Sequence, residues 1–414
     1  MKVLYVVASC LRRNTSANMS HNGYVQGLLE NGCDVDILMA KDSWGAKDSA
    51  MPTWEKAHYY SYDAISLRDR IRLKMRGKPT TEISKNDGNE NRLENKQPLF
   101  CRLKAVCRKF AKSAFYKLFP SDPLYPLEKT WLKKATKFHC SEEYDLVISN
   151  SSPAASHKLV GMLIQKKRIF CKRWIQIWED PWFSDLYGGN SEAVRREEHE
   201  LLKQADEIYY VSPLTLKYQQ EYYNDCADKM KHIPLPYLDF SANHDEPISE
   251  WSFGYFGDYY SHTRNLKPFY EALAATENAG YIYGDSDLSL KSTDRIRVSG
   301  RVTLDVLDKV QAKTRVLVHL SNLRGGQIPG KIYHYSATNK PILFIIDGTA
   351  EERTLLRQYF SQFDRFYFCE NNKEAIVNAI KNICTDNVSY GALPDFSPKN
   401  IVDRIIEDFN EEVR

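Results

Sequence analysis

The sequence lacks an apolar run long enough to cross a membrane. A membrane-spanning helix needs about 18 or more consecutive apolar residues, and no run of that length occurs among the 414 residues. The run from Val3 to Ala8 is short for the core of a signal peptide, and Arg12 and Arg13 stand where small residues would mark a cleavage site. We therefore predict that this segment is a buried strand.

Cysteine pairs with the spacing of a metal site are lacking too. The chain has nine cysteines, an odd number, and no two of them form a CxxC pair. This pattern argues against a disulfide framework and a cysteine-based zinc site, and it indicates a reducing compartment. We expect a cytoplasmic protein.

A strong net charge is also missing. Lysine and arginine number 57 and aspartate and glutamate 54, so the formal charge is +3. That charge is too small to attract nucleic acid over the whole surface, and any charged binding site must be local. The length suits two domains, and the hydrophobic content of 43% is that of a globular protein.

Short apolar segments alternate with amphipathic ones along the chain, which predicts an α/β fold. Strand–helix–strand units of this length form right-handed crossovers and parallel sheets. We therefore predict two doubly wound Rossmann-like domains facing a cleft. Their expected boundaries are 1–210 and 246–390, joined by a connection at 211–245 and followed by a C-terminal helix at 391–414 that could pack back on the first domain.

The predicted strands are apolar segments bounded by turn residues. In the first half they are "KVLYVVAS", "CDVDILMA", "YDLVISN", "RWIQIWED" and "ADEIYYVS". In the second half they are "WSFGYFGD", "YIYGDS", "RIRVSG", "RVLVHLS", "PILFII" and "RFYFCE".

A polar segment interrupts the first half. Residues 68–96 are nearly free of aromatic side chains, which predicts a mobile insertion. The next stretch, 99–118, has six basic residues, no acidic ones, and apolar residues spaced by three and four. This pattern predicts a basic amphipathic helix. Such a helix is either a solvated outer helix or one that docks on an anionic membrane, which would place the protein on the inner face of that membrane.

The segment "GGQIPGKIYHYSATNKPILF", from Gly325 to Phe344, has the composition of an anion site. Two glycines precede a helix predicted from about Pro329 to Asn339, and proline suits a first helical turn. Free amides of that turn, together with the charge of Lys331, would attract a phosphate group. The alternative is an ordinary helix start with a surface lysine.

This segment resembles the donor-binding signature of retaining glycosyltransferases of family 4, which have the two-domain GT-B fold. "FGYFGDYYSHTRNLKPFYEAL" and "RIRVSGRVTLDVLDKVQAKTRVLVHLS" resemble other parts of that family's C-terminal domain. "YDLVISNSSPAASHKLVG" and "IQIWEDPWFSDLYG" resemble turns of a bacterial branch of the family that makes surface polysaccharides. The resemblance covers most of the chain apart from about 50–130.

The resemblance implies transfer of a sugar from a nucleotide-sugar donor to an acceptor hydroxyl, with retention, in the synthesis of a cell-surface polysaccharide or glycolipid. The partners would be a nucleotide sugar and a glycan or lipid-linked acceptor, and not nucleic acid. The protein would stabilise charge on the departing diphosphate and hold the acceptor close. Fixed cations can do this, so we expect no cofactor and no metal.

Two other functions stay open at this point. Family members carry two glutamates at the donor site, and Gly326 and His334 replace them here. The chain could therefore be a weak or inactive relative that binds sugar nucleotides. It could also be a nucleotide-sugar epimerase, because one fold hosts several activities.

The resemblance places the donor-binding residues in the second half. Lys331 would face the diphosphate, and Arg264 stands where the family has a phosphate-binding lysine, while Asp258 replaces a common arginine. His334 would hold one ribose hydroxyl, because a neutral imidazole offers one donor and one acceptor. The expected donor-binding residues are Gly257, Arg264, Gly326, Gly330, Lys331 and His334.

The acceptor side is expected in the first half. Asp180, in "WEDPW", would face the acceptor or the reacting sugar, with Trp182 as a stacking surface, unless this segment is only a structural turn. His157 is either an acceptor-side residue or a buried histidine. The expected acceptor-side residues are Asn14, Ser16, Ser152, His157, Asp180 and Trp182, and the expected catalytic residues are Asp180, Arg264 and Lys331.

Two Asp-x-Asp segments match the metal-binding motif of a different glycosyltransferase fold. They are Asp34–Asp36 and Asp285–Asp287. The first lies in a predicted strand and the second in a predicted turn, so we interpret neither as a metal site.

Overall fold

The structure is a computed structural model that describes residues 1–41, 47–66, 122–186, 191–238, 250–386, 388 and 390–413. The predicted insertion at 68–96 and the predicted basic helix at 99–118 lie outside these residues. Among the helices that it does describe, none combines the length and the apolar character needed to cross a membrane.

In the part of the chain described above, the first sheet has seven parallel strands in the order β3-β2-β1-β4-β5-β6-β7. Strands buried on both faces are continuously apolar, as in β1, where only Lys2 is not fully buried. The strands are β1 (Lys2–Val7), β2 (Asp34–Ala40), β3 (His58–Tyr62), β4 (Glu143–Ser151), β5 (Phe170–Trp178), β6 (Glu207–Tyr210) and β7 (Met230–His232).

Helices cover this sheet, and several of them begin at a residue whose side chain caps the first turn. Thr15, Ser191 and Ser212 each accept a hydrogen bond from the backbone N–H three residues later. The helices are α1 (Ser16–Glu30), α2 (Lys129–Ala135), α3 (Ala155–Gln165), α4 (Glu192–Gln204) and α5 (Pro213–Tyr222).

The second sheet has six parallel strands within the described residues, in the order β10-β9-β8-β11-β12-β13. The strands are β8 (Ser252–Phe256), β9 (Ala279–Tyr283), β10 (Ile296–Ser299), β11 (Val316–Leu320), β12 (Ile342–Ile346) and β13 (Phe366–Glu370). The helices are α6 (Lys267–Thr276), α7 (Leu304–Lys313), α8 (Lys331–Ser336), α9 (Ala350–Phe360), α10 (Lys373–Thr385) and α11 (Pro398–Val413).

The predicted fold class, two doubly wound parallel sheets, is confirmed. Four of these elements were not predicted, namely β3, β7, α2 and α5. Strand β3 lacks an apolar signal because all five of its residues are exposed or half-buried. The helix predicted from Pro329 to Asn339 is too long at both ends, since α8 runs from Lys331 to Ser336 and Pro329 precedes its N-cap, Gly330. A residue that precedes proline avoids helical geometry, so Pro341 limits this helix from its C-terminal side.

Helix α11 returns to the first half of the chain and packs on α1. Ile401, Val402 and Ile405 join the same hydrophobic core as Tyr24 and other α1 residues. The two helices approach closely at Gly27, where a side-chain Cβ would lie 2.1 Å from the backbone oxygen of Pro398. The two halves are therefore linked by a packed helix as well as by the connecting segment.

Gly27→Ala is expected to lower the free energy of unfolding by about 1–3 kcal/mol, because overpacking costs this much when backbone must move. Urea unfolding measures the change. Gly391→Ala is the control, because a Cβ there meets nothing within 4 Å, and it should change stability by about 0.5 kcal/mol or less. Equal stability of the two variants would show that α11 does not pack on α1 as described.

In both sheets, the position at which the strand order reverses lies at the same cleft. In each doubly wound sheet the strand order reverses at one position, between β1 and β4 in the first and between β8 and β11 in the second. Loops that follow these strands diverge and leave a crevice at the carboxyl ends of the strands. The loops after β1, β4, β8 and β11 carry six of the twelve predicted site residues, namely Asn14, Ser152, Gly257, Arg264, Gly326 and Gly330.

Candidate functional site

A cavity of about 470 Å³ lies between the two halves. The loop after β1 and the turn after β5 line one side, and the loops after β8, β9, β10 and β11 line the other. The predicted site residues that line this cavity are Asn14, Ser16, Asp180, Gly257, Arg264, Gly330 and Lys331. The structure thus brings together residues from both predicted sets.

The glycine-rich loop before Lys331 is held by both halves of the protein. Gly325 and Gly326 have φ of 97° and 72°, a backbone conformation that residues other than glycine and asparagine rarely adopt. The Gly326 oxygen accepts a hydrogen bond of 2.5 Å from Ser212 Oγ, and the Gly325 N–H donates to Glu352 Oε1 at 3.0 Å. The start of α8 is therefore fixed relative to the first half.

Three cationic side chains line the cleft: Arg264, Arg301 and Lys331. Arg301 was not predicted, and its partner is Asp258, which stands where the resembling family often has an arginine. Asp258 Oδ1 accepts a hydrogen bond of 2.9 Å from Arg301 Nε, and Asp258 Oδ2 pairs with the same guanidinium. Burial opposes the charge of Asp258, but the hydrogen bonds from Arg301 and the Asp285 N–H lower its pKa. Asp258 is thus not a cation itself, but it holds the cationic side chain of Arg301 in the cleft.

Lys331 lies at the N-terminus of α8, where burial lowers the pKa of its ammonium group. A partly desolvated cation interacts more strongly with a bound anion than a fully solvated one. Because α8 has only six residues, the positive charge on this side of the cleft comes from the three cationic side chains rather than from a helix dipole.

Asp180 lies between two cavities. It lines the cleft and also a second cavity of about 260 Å³, which contains Ser152 and Trp182. Burial raises the pKa of Asp180 to about 6, and a hydrogen bond from Gln327 acts in the opposite direction. A carboxylate that titrates near neutral pH and faces two cavities is well placed to interact with a substrate hydroxyl.

The turn that carries Asp180 and Trp182 is held in place by hydrogen bonds to the buried side chain of Glu198. Glu198 Oε1 and Oε2 accept hydrogen bonds from the Trp182 and Phe183 N–H groups at 3.0 and 2.8 Å. The Trp182 ring lies 5.3 Å from the Tyr125 ring, and both line the second cavity. Aromatic faces beside carboxylates suit a sugar, which has apolar C–H faces and a rim of hydroxyl groups.

Glu179 and His21, a pair of polar groups at the cleft, were not predicted from the sequence. Glu179 lines the cleft, and its Oε1 lies 3.6 Å from Nδ1 of the fully buried His21. Burial lowers the pKa of His21 to about 3 and raises that of Glu179. His21 is therefore neutral at pH 7, and the two groups do not form an ion pair. The position of Glu179 beside Asp180 was the available signal.

Ser152 and Trp182 line the second cavity, and three further predicted site residues, His157, Gly326 and His334, line neither cavity. His157 is buried with its Nδ1 2.7 Å from Ser149 Oγ and its ring 4.3 Å from the Trp178 ring. Nδ1 of His334 accepts a hydrogen bond of 3.4 Å from the Leu238 N–H, and Gly326 lies in the loop contact described above. The roles predicted for these residues stay predictions.

The Asp-x-Asp segments are engaged with protein groups. Asp36 Oδ2 accepts a hydrogen bond of 2.6 Å from the Tyr144 hydroxyl. Asp287 accepts hydrogen bonds of 2.7 and 2.6 Å from the N–H and hydroxyl of Ser261.

No protein-family model and no curated protein sequence matches the chain. Solved structures do match over its whole length. Sucrose-phosphate synthase from Thermosynechococcus elongatus is 16% identical, with a TM-score of 0.52 over 100% of this chain and 95% of that one. AviGT4, a glycosyltransferase involved in avilamycin A biosynthesis, is 11% identical, with a TM-score of 0.53 over 99% and 97%.

An α-glucosyltransferase, solved in complex with UDP and a 13-mer DNA, is 11% identical, with a TM-score of 0.55 over 99% of each chain. Identities this low define the fold and leave the activity open. The chain has the GT-B fold, with two Rossmann-like domains that face a cleft.

Proposed function

We propose that this protein is a glycosyltransferase that moves a sugar from a nucleotide-sugar donor to an acceptor hydroxyl. The observation that carries the proposal is the grouping of Arg264, Arg301 and Lys331 on one side of a cleft that has Asp180 on the other. The three cations suit the two phosphates of the donor. The solved structures of similar fold support the proposal, since one of them binds UDP.

The geometry suggests how the cleft is divided. The diphosphate would lie against the three cations, and the acceptor would enter through the second cavity past Trp182. Asp180 faces both cavities, so the reacting carbon would lie near its carboxylate. The ionised form of Asp180 would accept a hydrogen bond from the acceptor hydroxyl or stabilise positive charge on the sugar.

The finer features of the proposal come from the sequence resemblance. They are membership of family 4, retention at the anomeric carbon, and a role in cell-surface polysaccharide or glycolipid synthesis. We also propose a cytoplasmic location and metal-independent turnover, which addition of a chelator tests. Residues 99–118 would bring the enzyme to lipid-linked acceptors, which co-sedimentation with anionic vesicles at low and high salt tests.

The function is tested in two steps. Nucleoside diphosphates are first screened for their effect on the melting temperature, because a ligand that binds the native state raises it. Release of nucleoside diphosphate from the matching nucleotide sugar is then measured with and without candidate acceptors. Binding without acceptor-dependent release would overturn the transferase proposal.

The main alternative is a relative that binds sugar nucleotides without turnover. It is favoured by Gly326, which replaces a glutamate of the resembling family. A side chain at this position would be strained by the φ of 72°, and its Cβ would lie 3.0 Å from Leu214 and Tyr218 side chains. The loop therefore leaves little room for the usual glutamate, and the acceptor-dependent assay separates the two functions.

Arg301→Ala is expected to weaken nucleoside diphosphate binding about fivefold, or ~1 kcal/mol. The effect is modest because the Arg301 side chain is 70% exposed, and water screens exposed charges. Titration calorimetry measures the affinity. Arg297→Ala removes an exposed arginine of β10 outside the cavity and should leave affinity unchanged. Equal affinities of the two variants would exclude Arg301 from the donor site.

A further inference from the structure

The side chain of Gln327 crosses from the glycine-rich loop into the first half of the protein. Its Nε2 donates hydrogen bonds to Asp180 Oδ1 at 2.5 Å and to Asp185 Oδ1 at 3.1 Å. Its Oε1 accepts a hydrogen bond of 3.1 Å from the Leu186 N–H. The side-chain amide of Gln327 is buried, and both of its N–H groups and its oxygen form hydrogen bonds with residues of the first half.

The backbone of Gln327 is also held by a hydrogen bond. Its oxygen accepts a hydrogen bond of 3.0 Å from Asn322 Nδ2, and the preceding Gly326 is bonded to Ser212. Lys331 follows four residues later in the same loop and helix start. A movement of the loop that carries Lys331 would therefore also move the amide that contacts Asp180.

We propose that Gln327 is a positioning residue that aims the Asp180 carboxylate from the loop that carries the donor-binding Lys331. The proposal deepens the function proposed above and rests on it for the roles of Asp180 and Lys331. Gln327 itself does no chemistry. It ties the acceptor-side carboxylate to the donor-side loop, so that both are in place only when the loop is in place.

The amide also separates two like charges. Asp180 and Asp185 both accept from Nε2, and a donor between two carboxylates favours their ionised forms. The other charged groups that line the two cavities are Glu128 and Glu179, Arg264 and Lys331, and the paired Asp258 and Arg301. Without the Gln327 amide, Asp180 would keep its charged neighbours but lose its donor, and its pKa would rise.

Gln327→Met tests the proposal, because methionine keeps the approximate volume and removes the amide. In this variant Asp180 loses the hydrogen bond from Gln327, and the loss destabilises the ionised carboxylate more than the protonated carboxyl group. We therefore expect the drop in melting temperature to be larger at pH 8 than at pH 5. Adding Asp180→Asn should remove most of this pH dependence. Gln362→Met, an exposed glutamine of the second half, is the control and should show no pH-dependent drop.

Turnover provides the second readout. The assay uses the donor and acceptor that the screen under Proposed function identifies. Gln327→Met should lower kcat about tenfold and shift the acidic limb of the pH profile upward by about one pH unit. A drop in melting temperature that is the same at both pH values, and unaffected by Asp180→Asn, would show that Gln327 only packs. A pH-dependent drop in a protein without transferase activity would keep the positioning role and overturn the proposed function.

Discussion

Lys331→Ala is expected to lower turnover by about two to three orders of magnitude while the protein stays folded. Removing one group that stabilises charge in a transition state costs about 2.7–4 kcal/mol in comparable sites. Lys331 lines the cleft beside Arg264 and Arg301, where the departing diphosphate would develop charge. Initial rates at saturating donor and acceptor, together with the melting temperature, measure both effects.

Arg264→Ala should act in the same direction, since Arg264 lines the same cleft. Arg324→Ala is the matched control, because Arg324 belongs to the glycine-rich loop but is exposed and does not line the cavity. Wild-type kinetics for both Lys331→Ala and Arg264→Ala would mean that the donor diphosphate does not bind at these cations.

Asp180→Asn is expected to lower turnover by about two orders of magnitude or more and to make the fold more stable at pH 8. The loss of turnover follows from the loss of a carboxylate that faces both cavities, since a positioned proton-accepting group contributes about 10²–10⁴-fold. The gain in stability follows from the cost of burying a charge, which asparagine does not carry.

The pH dependence of this gain has a definite sign. The pKa of Asp180 is raised from 3.8 to about 6 in the folded protein, so the native state binds more protons than the unfolded state between these values. The contribution of Asp180 to stability is greatest below pH 4 and is lost as the pH rises to about 6. The gain on substitution is therefore at most about 3 kcal/mol above pH 6, and small at pH 4.

Urea unfolding of the wild type and Asp180→Asn at pH 4 and pH 8 checks the stability, and a pH profile of kcat checks the role in turnover. Wild-type activity should fall below about pH 6, where Asp180 becomes protonated. A stable and fully active Asp180→Asn would show that the carboxylate is structural. A variant that is less stable at pH 8 would contradict the burial cost.

Much of the fold could be predicted from the sequence because it depends on local patterns. Strands such as β1, β11 and β12 are short apolar segments between turns, and their predicted bounds agree with the structure within one or two residues. The pattern was less informative where an element is exposed or very short. Strand β3 and the three-residue β7 have no apolar run of their own and are defined by pairing with neighbours.

The candidate site could be predicted only in part. Asn14, Asp180 and Arg264 lie on loops at the carboxyl ends of strands, Lys331 directly follows such a loop, and strand order alone brings such loops together. Arg301 and Gln327 could not be identified in this way. Their partners lie 43 and 147 residues away in the chain, and no local pattern records such a pair.

By itself the sequence determined the two parallel sheets, the cleft between them and the loops that would reach it, because burial and turn preferences are properties of neighbouring residues. It also identified the glycine-rich loop, since Gly325 and Gly326 adopt a positive φ that few other residues tolerate. Only the tertiary structure decided which charges meet in the cleft. It pairs Asp258 with Arg301, places Asp180 under the amide of Gln327 and buries His157 beside Trp178. These contacts depend on how two separately patterned sheets face each other, and the geometry of that packing is a property of the whole chain.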